Sequence, residues 1–473
     1  MKDRTITIKL IMLLSILILF YICKDSSLFL YVMTLSLYNI YLSCFSHITL
    51  KETFDKNNCQ NNKYKILKYI SINITVICIL FILLSILISD TISISLNIKN
   101  TFWPYLIMSL SVGTEPIIRI FLEYLESLGK PKLSHILLNM YYILEYILLL
   151  IISILTIKLK LLPLHIAIST LYLSKIFSFI IVFILIILFL KKIKINKNKQ
   201  EQSKVNCRKE VKTILTNNTQ ISIIKVVKNS YYYISIILLY LVLSTRYSYN
   251  IELIEKDLTF VYLYGIYIIN FITNEILFLN QNSNKKDNII NYIYIIFQKT
   301  LTITIIFSVL SPLICKIIFD TEEYYIYLMS LSFLIIFISL FNVTFEYIKN
   351  KKVIYISLIS GIISKLILTI PLINALYRIG YNLIYGDIIS TIISMFVSII
   401  INYIYIKTKN PKEKTLEKIL TTLYENILLC IILVLLQFII PINNDNYLKS
   451  LILLTIYIFI SIIFIKIKKK KRG

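Results

Sequence analysis

The sequence predicts an all-α polytopic membrane protein, and three observations lead to this prediction. The 473-residue chain is 58% hydrophobic and 16% charged, with a mean hydropathy of +0.78, whereas soluble proteins are about 45–50% apolar. Uncharged apolar runs such as 176–190 and 451–465, taken with their flanks, reach the roughly 20 residues that a helix needs to cross a bilayer. Seven Gly and eight Pro leave few turn signals, so long helices are favoured over barrel strands.

Breaks at charged residues, Pro and Asn divide the apolar sequence into about 14 transmembrane helices. We expect two six-helix lobes in a parallel pseudo-repeat, followed by two C-terminal helices. The corresponding domains are 1–212 with a cytoplasmic linker, 213–406, and 407–473 with a basic tail. The predicted spans are 8–24, 27–48, 69–89, 102–123, 133–157, 162–190, 222–245, 257–280, 297–315, 322–346, 353–376, 380–406, 419–440 and 447–466.

The distribution of Lys and Arg tests this count, because a missed helix would invert every later loop. Segments assigned to the cytoplasm hold 36 Lys and Arg residues, whereas the opposite loops hold 9. This bias predicts a multi-pass protein of the cell membrane with both termini in the cytoplasm. The remaining five cations fall within predicted helices, namely Arg119, Lys175, Lys225, Lys228 and Lys365.

Several chemistries are disfavoured by the residue pattern. The net charge of +25 comes from lysines clustered between apolar runs, which argues for a topology signal and against nucleic-acid binding. The seven Cys form no CxxC pair and the three His are scattered, so we expect neither a metal site nor disulfides. The sequence has no phosphate-binding loop. We therefore expect no cofactor and an energy source other than ATP bound to this chain.

An internal repeat is indicated by the segments Glu123–Lys132 and Glu346–Lys352, which lie six predicted helices apart. Glu145 follows Lys132 by 13 residues, and Lys365 follows Lys352 by 13 residues. Both charges would therefore lie about 20 Å along equivalent helices. A charge at that depth should face a partner or an aqueous cavity rather than lipid. A structural ion pair between the two lobes and a substrate or coupling role are both open.

A family resemblance rests on the segments Leu125–Lys132, Leu358–Leu372 and Ile379–Ile393, together with the arrangement of the spans. The chain resembles polysaccharide-biosynthesis flippases of the multidrug/oligosaccharidyl-lipid/polysaccharide (MOP) exporter superfamily, which is MATE-like. The SpoVB-like and MurJ-like branches are the most similar. The first span, from Leu10 to Cys23, lacks the charged or Gly-rich motif of many relatives, so no substrate residue is transferred to it.

The resemblance implies alternating-access movement of a polyprenyl-diphosphate-linked sugar, such as lipid II or an oligosaccharide unit, from the inner to the outer leaflet. Its partners would be that glycan, membrane lipids and a coupling cation. The candidate cavity residues are Arg119, Glu145, Lys175, Arg246 and Lys365. Three of these cations also have a structural explanation: an ion pair with Glu115 at i−4 for Arg119, an ion pair with Glu145 for Lys175, and snorkelling to the interface for Arg246.

Four further residues have candidate roles in the transport cycle. Pro116 and Pro371 interrupt helical hydrogen bonding and are candidate hinges. Glu275 and Asp387 are acids within or near predicted spans and are candidate coupling residues. Pro also occurs in transmembrane helices without bending roles, and the acids could instead cap helices or lie at the interface.

Two other functions remain open from the sequence. A MATE-type small-molecule or cation antiporter shares the superfamily, although such proteins usually have twelve spans. A membrane-embedded glycosyltransferase or polymerase would act on the same lipid-linked sugar, but it would be expected to have a sizeable outer loop. The outer loops of this sequence are short, so we predict a transporter rather than an enzyme.

Overall fold

The computed structural model consists of α-helices joined by short turns. It describes residues 2–23, 28–48, 54, 60–98, 100–192, 207–216, 219–247, 250–280, 289–321, 323–348, 350–409, 416–439, 453 and 455–457. Throughout these described ranges the chain forms helices and no strand. The predicted all-α fold class is confirmed.

The chain folds into two compact units. Unit 1 comprises Met1–Ser244 and Asn250–Lys256, and unit 2 comprises Thr245–Tyr249 and Asp257–Gly473. The limits predicted at 212 and 406 separate the repeated lobes of the sequence. The two units are instead defined by how residues cluster in space, which does not test where a repeat begins or ends. Those limits therefore stay a prediction.

Unit 1 contains ten complete helices and the first part of an eleventh among its described residues. Its core includes Leu122 of the fifth helix, Tyr141 of the sixth and Val182 of the eighth, all buried. The helices are α1 Lys2–Ile22, α2 Phe29–Cys44, α3 Gln60–Leu96, α4 Phe102–Ser111, α5 Thr114–Ser127, α6 Pro131–Ser153, α7 Leu164–Leu171, α8 Leu173–Lys192, α9 Cys207–Thr216, α10 Thr219–Leu241 and α11 Ile251–Thr259.

Unit 2 continues with seven further helices in its described part. Its core includes Leu313, Leu433 and Tyr457, so residues from the last predicted span pack beside the second and seventh of these helices. The helices are α12 Ile266–Asn280, α13 Ile289–Ile314, α14 Tyr325–Ser332, α15 Leu334–Tyr347, α16 Lys351–Ile379, α17 Ile384–Lys409 and α18 Leu416–Ile439. Single π-helical turns occur at Ile154–Lys158, Val242–Arg246, Phe260–Gly265 and Cys315–Phe319.

Ten continuous helical segments of the described chain are long and apolar enough to cross a membrane. Three shorter apolar helices, Leu13–Ile22, Phe29–Cys44 and Thr421–Leu435, fall in the first, second and thirteenth predicted spans. The fourteenth span, 447–466, lies largely outside the described residues, as do the basic tail and most of the 191–212 linker. The molecule is a multi-pass membrane protein.

The outward face of α16 is suited to contact with lipid rather than with water. Ile356, Ile359, Ile363 and Ile367 are each at least 50% exposed. These residues are spaced three or four apart and therefore form one continuous apolar stripe along the helix. Hydrocarbon can cover such a stripe without cost, whereas water cannot.

The hairpin formed by α16 and α17 owes its geometry to two glycines. Gly380 ends α16 with φ of 80°, a left-handed conformation that other residues adopt only with strain. Six residues later, a Cβ on Gly386 would lie 2.9 Å from the backbone nitrogen of Ile373. The two helices thus approach closely beside Asp387, in the first turn of α17.

Candidate functional site

Unit 2 contains a buried cation, Lys365, in the middle of α16. Its side chain is 1% exposed, and its ammonium donates to Asp387 Oδ1 at 2.7 Å. The Thr391 hydroxyl accepts from the same ammonium, and the Tyr262 hydroxyl donates to the other carboxylate oxygen of Asp387. A buried ion pair with hydrogen bonds on both sides satisfies the desolvated charges. Lys365 and Asp387, predicted separately as a ligand and a coupling residue, thus form one cluster.

In unit 1, Glu145 of α6 forms an ion pair with Lys175 of α8. The carboxylate side chain is 7% exposed and the Lys175 side chain is 15% exposed. The Lys175 ammonium also lies 4.8 Å from the ring centroid of Tyr38, within the range of a cation–π interaction. The structure therefore shows the pairing that the sequence suggested for Lys175. Glu145 and Lys365 each find their partner within their own unit.

Arg119 lies on α5 and differs from these pairs in its exposure. Its guanidinium donates to Glu115 one turn earlier, and Glu115 also accepts from the Tyr142 hydroxyl at 3.1 Å. The Arg119 side chain is 57% exposed, whereas that of Glu115 is 12% exposed. The same guanidinium nitrogen of Arg119 lies 3.5 Å from the Tyr142 hydroxyl, so Glu115 and Tyr142 share one edge of the guanidinium.

A polar cavity of about 170 Å³ lies next to Arg119, between α2, α5 and α10. Two cations, Arg119 and Lys225, are among its lining residues, and no carboxylate is. Asn229 donates to Ser43 Oγ at 2.8 Å and to the Asn39 carbonyl at 3.2 Å, which fixes α10 against α2. We call this the Arg119 pocket; its lining residues are Asn39, Leu42, Ser43, Phe45, Ser46, Pro116, Arg119, Lys225 and Asn229.

A histidine fixes the chain at one side of this pocket. His47 Nδ1 lies 2.6 Å from Ser222 Oγ, and His47 Nε2 lies 3.0 Å from the Leu215 carbonyl oxygen. Ser222 Oγ in turn donates to the Cys44 carbonyl. These contacts join the end of α2 to the start of α10, three residues before Lys225. They hold the Lys225 turn in position beside the pocket.

Apart from Pro116, which lines the Arg119 pocket, the other predicted residues lie outside these clusters. Arg246 is exposed in a π-helical turn, with its guanidinium carbon 6.0 Å from the Tyr247 ring centroid. Glu275 is half-buried in α12. Pro116 occupies the first turn of α5, just after the helix break at Val112 and Gly113, while Pro371 lies within the continuous helix α16. The hinge and coupling roles stay predictions.

The sequence interpretation missed three residues that line the pocket together with Arg119. Lys225 was recognised as a cation within a helix but received no role, and Asn39 and Asn229 were not singled out. A signal exists, because Lys225 and Asn229 are spaced four apart on α10, as are Asn39 and Ser43 on α2. Such spacing places polar side chains on one helix face. Polar stripes on otherwise apolar helices would have indicated this site.

Comparison with solved structures identifies two transporters of the same architecture. Lipid II flippase MurJ in an inward closed conformation is 15% identical with a TM-score of 0.67, and the match covers 99% of this chain and 98% of that chain. An inward-facing multidrug resistance MATE family transporter of the MOP superfamily is 12% identical with a TM-score of 0.51, covering 84% and 90%. The chain has the fold of these transporters. No protein-family model and no curated protein matches the sequence.

The predicted MurJ-like fold is thereby confirmed, and the candidate site can be described within it. The Arg119 pocket offers guanidinium and ammonium donors, which suit a phosphate. The Lys365–Asp387 and Lys175–Glu145 pairs have buried, satisfied charges, which suits a structural role. Across the described residues, no group of three His, Cys, Asp or Glu side chains could hold a metal ion.

Proposed function

We propose that this protein is a flippase that moves a polyprenyl-diphosphate-linked sugar from the inner to the outer leaflet by alternating access. The observation that carries the proposal is the Arg119 pocket, where two cations and two amides line a cavity between helices of unit 1. Cations within a membrane segment are costly and usually mark a polar pathway. A lipid II flippase among the solved structures of this fold supports the same substrate class.

The chemistry of the substrate accounts for the pocket composition. A diphosphate carries negative charges that hydrocarbon cannot solvate, and each charge needs hydrogen-bond donors on its path. Arg119 supplies a planar fork of donors, and Lys225 supplies a compact positive charge. The Asn39 side-chain amide and the Asn229 amide oxygen are groups of the kind that bind sugar hydroxyls. The pocket is small, so it would bind the diphosphate and the first sugar rather than a whole glycan.

Complementation of a flippase-deficient bacterial strain tests this proposal. We expect Arg119→Ala and Lys225→Ala each to abolish growth rescue at unchanged membrane levels, because each removes a donor to the diphosphate. Arg119→Lys should retain part of the activity, since the charge remains while the fork is lost. Arg378→Ala, which removes an exposed cation at the end of α16, is the matched control and should complement fully. Full rescue by both pocket variants would refute the proposal.

A second candidate function is a small-molecule antiporter, which the similarity to the MATE transporter favours. Purified protein in vesicles distinguishes the two. A flippase should transfer a fluorescent polyprenyl-diphosphate sugar between leaflets and should not exchange a lipophilic cation for protons or sodium. Transport of the cation alone would favour the antiporter.

A further inference from the structure

A second cavity, separate from the Arg119 pocket, lies in unit 2 between α13, α15 and α17. Its volume is about 240 Å³. Phe396 and Ile400, exposed by 49% and 39%, place its opening on the outer surface of the helices. The Thr344 hydroxyl donates to the Phe341 carbonyl, so this lining residue presents only its methyl group. We call this cavity the α17 groove; its apolar lining includes Ile293, Phe297, Leu340, Phe396, Ile399 and Ile400.

The groove extends along α17 from the helix end towards the middle of the membrane. Tyr403 lies six residues before Lys409, the last residue of α17, and Phe396 lies 13 residues before it. At 1.5 Å per residue, these positions are about 9 Å and about 20 Å from the helix end. That interval corresponds to the headgroup boundary and the upper acyl region of one leaflet.

Near the end of α17 the lining of the groove includes two tyrosines, Tyr294 and Tyr403. Lys407 follows Tyr403 by four residues, which places both on the same face of α17. The neighbouring Lys409 ammonium instead lies 4.9 Å from the ring centroid of Tyr405. Across the groove, the Tyr294 hydroxyl is hydrogen bonded to Thr422 Oγ1 at 2.6 Å. The surface therefore changes from apolar to cationic in the same direction as a phospholipid changes from tail to anionic headgroup.

We propose that the α17 groove binds one acyl chain of an anionic phospholipid, with the lipid phosphate held by Lys407. Cytoplasmic leaflets carry anionic lipids, and basic residues at helix ends attract them. A phospholipid suits the groove better than the last apolar segment of this chain, because Leu453 and Tyr457 pack beside Leu310 and Leu313 near the opposite end of α13. The site lies outside the Arg119 pocket, so it would be a lipid site independent of the transported substrate.

Tryptophan fluorescence can test this proposal, because Trp103 is the single tryptophan of the chain. In a Trp103→Phe background, Phe396→Trp places a reporter in the groove, and Phe297→Trp provides a second one. Ile363→Trp is the matched control on the lipid-facing stripe of α16. It lies 12 residues after Lys351, at nearly the same depth as Phe396. The purified full-length variants are reconstituted in phosphatidylcholine vesicles containing brominated phosphatidylglycerol or brominated phosphatidylcholine.

We expect brominated phosphatidylglycerol to quench the groove reporters with about fivefold higher apparent affinity than brominated phosphatidylcholine. The control reporter should respond equally to both lipids. Lys407→Gln should remove the preference at the groove, whereas Lys192→Gln at the end of α8 should leave it unchanged. Equal quenching by both lipids at the groove would overturn the proposal. Absence of quenching would also overturn it, by showing that protein fills the groove.

Discussion

Lys365 shows how a charge can persist at 1% exposure in a membrane protein. Its ammonium is held by the Asp387 carboxylate, and the carboxylate is held in turn by the Tyr262 hydroxyl. Further oxygens from Ser390 and Thr391 lie within hydrogen-bond distance. Every charge in the cluster therefore has a partner, and a change to one member affects the others.

The energetics of this cluster can be tested by comparing a single variant with a double variant. Lys365→Met should destabilise the protein by about 3–5 kcal/mol, because it leaves the buried Asp387 carboxylate without its cation. Lys365→Met combined with Asp387→Asn should recover most of that loss, since no charge then remains. Thermal unfolding in detergent is the measurement, with the exposed Lys352→Met as control. Equal destabilisation by the single and double variants would contradict a charge-pair role.

The Arg119 guanidinium already has an anionic partner, Glu115, which would compete with a bound diphosphate for it. If the Arg119 pocket binds a diphosphate, Glu115→Gln should tighten binding of a short-chain polyprenyl-diphosphate about three- to tenfold, since neutral Gln holds the guanidinium less strongly. Titration calorimetry on the purified protein would measure this change. Glu252→Gln serves as the comparison, because Glu252 is exposed and does not line the pocket. An unchanged Kd in Glu115→Gln would argue that Arg119 has only a structural role.

At the scale of helices, close contacts position the charged side chains. α16 and α17 approach one another at Gly386 and Ile373, immediately beside Asp387. In unit 1, Gly113 separates α4 from α5, and a Cβ there would lie 2.9 Å from Cys78 Sγ of α3. Gly is rare in this chain, with seven residues in all, and these two occupy positions where helices pack tightly.

The contact at Gly386 leads to a prediction about α17. Gly386→Ala should force the two helices apart, because the added methyl group meets backbone atoms of Ile373 rather than a flexible side chain. We expect a loss of about 1–3 kcal/mol in stability. Thermal unfolding of purified protein would show it as a lowered midpoint. Ile389→Ala, at an exposed position on the same helix, should have a much smaller effect; equal losses would show that Gly386 has no special role.

At the scale of the whole molecule, the asymmetry of positive charge predicts the orientation in the membrane. The sequence assigns 36 Lys and Arg residues to one side of the membrane and 9 to the other. Basic loops are retained in the cytoplasm during insertion. Orientation is therefore a property of the complete chain rather than of any one helix.

Reporter fusions test this orientation directly. A fluorescent protein that folds only in the cytoplasm should be bright when fused to either terminus of the full chain, because both ends are predicted to be cytoplasmic. Alkaline phosphatase fused after Arg378, at the opposite end of α16, should be active because that end is predicted to face outward. An active phosphatase at the C-terminus, together with a bright fusion at the N-terminus, would show that the number of spans is odd.

Part of the site could be predicted from the sequence because it depends on helical periodicity alone. Glu115 and Arg119 are four residues apart in one helix, so their contact follows from 3.6 residues per turn. The Lys175 and Glu145 pairing was one of several possibilities open to two buried opposite charges. The pairing of Lys365 with Asp387 could not be derived, because the two residues lie on different helices. Their spacing in the sequence does not show that they are neighbours in space.

The sequence by itself determined the class of protein, the positions of most spans and the predicted orientation, because hydropathy and charge act on each segment independently. Only the tertiary structure brought Lys225, Asn39 and Asn229 to Arg119, and only it created the groove beside Phe396. Those arrangements depend on which helices are neighbours. In a membrane that choice is made by the close fit of side chains, which apolar composition does not specify.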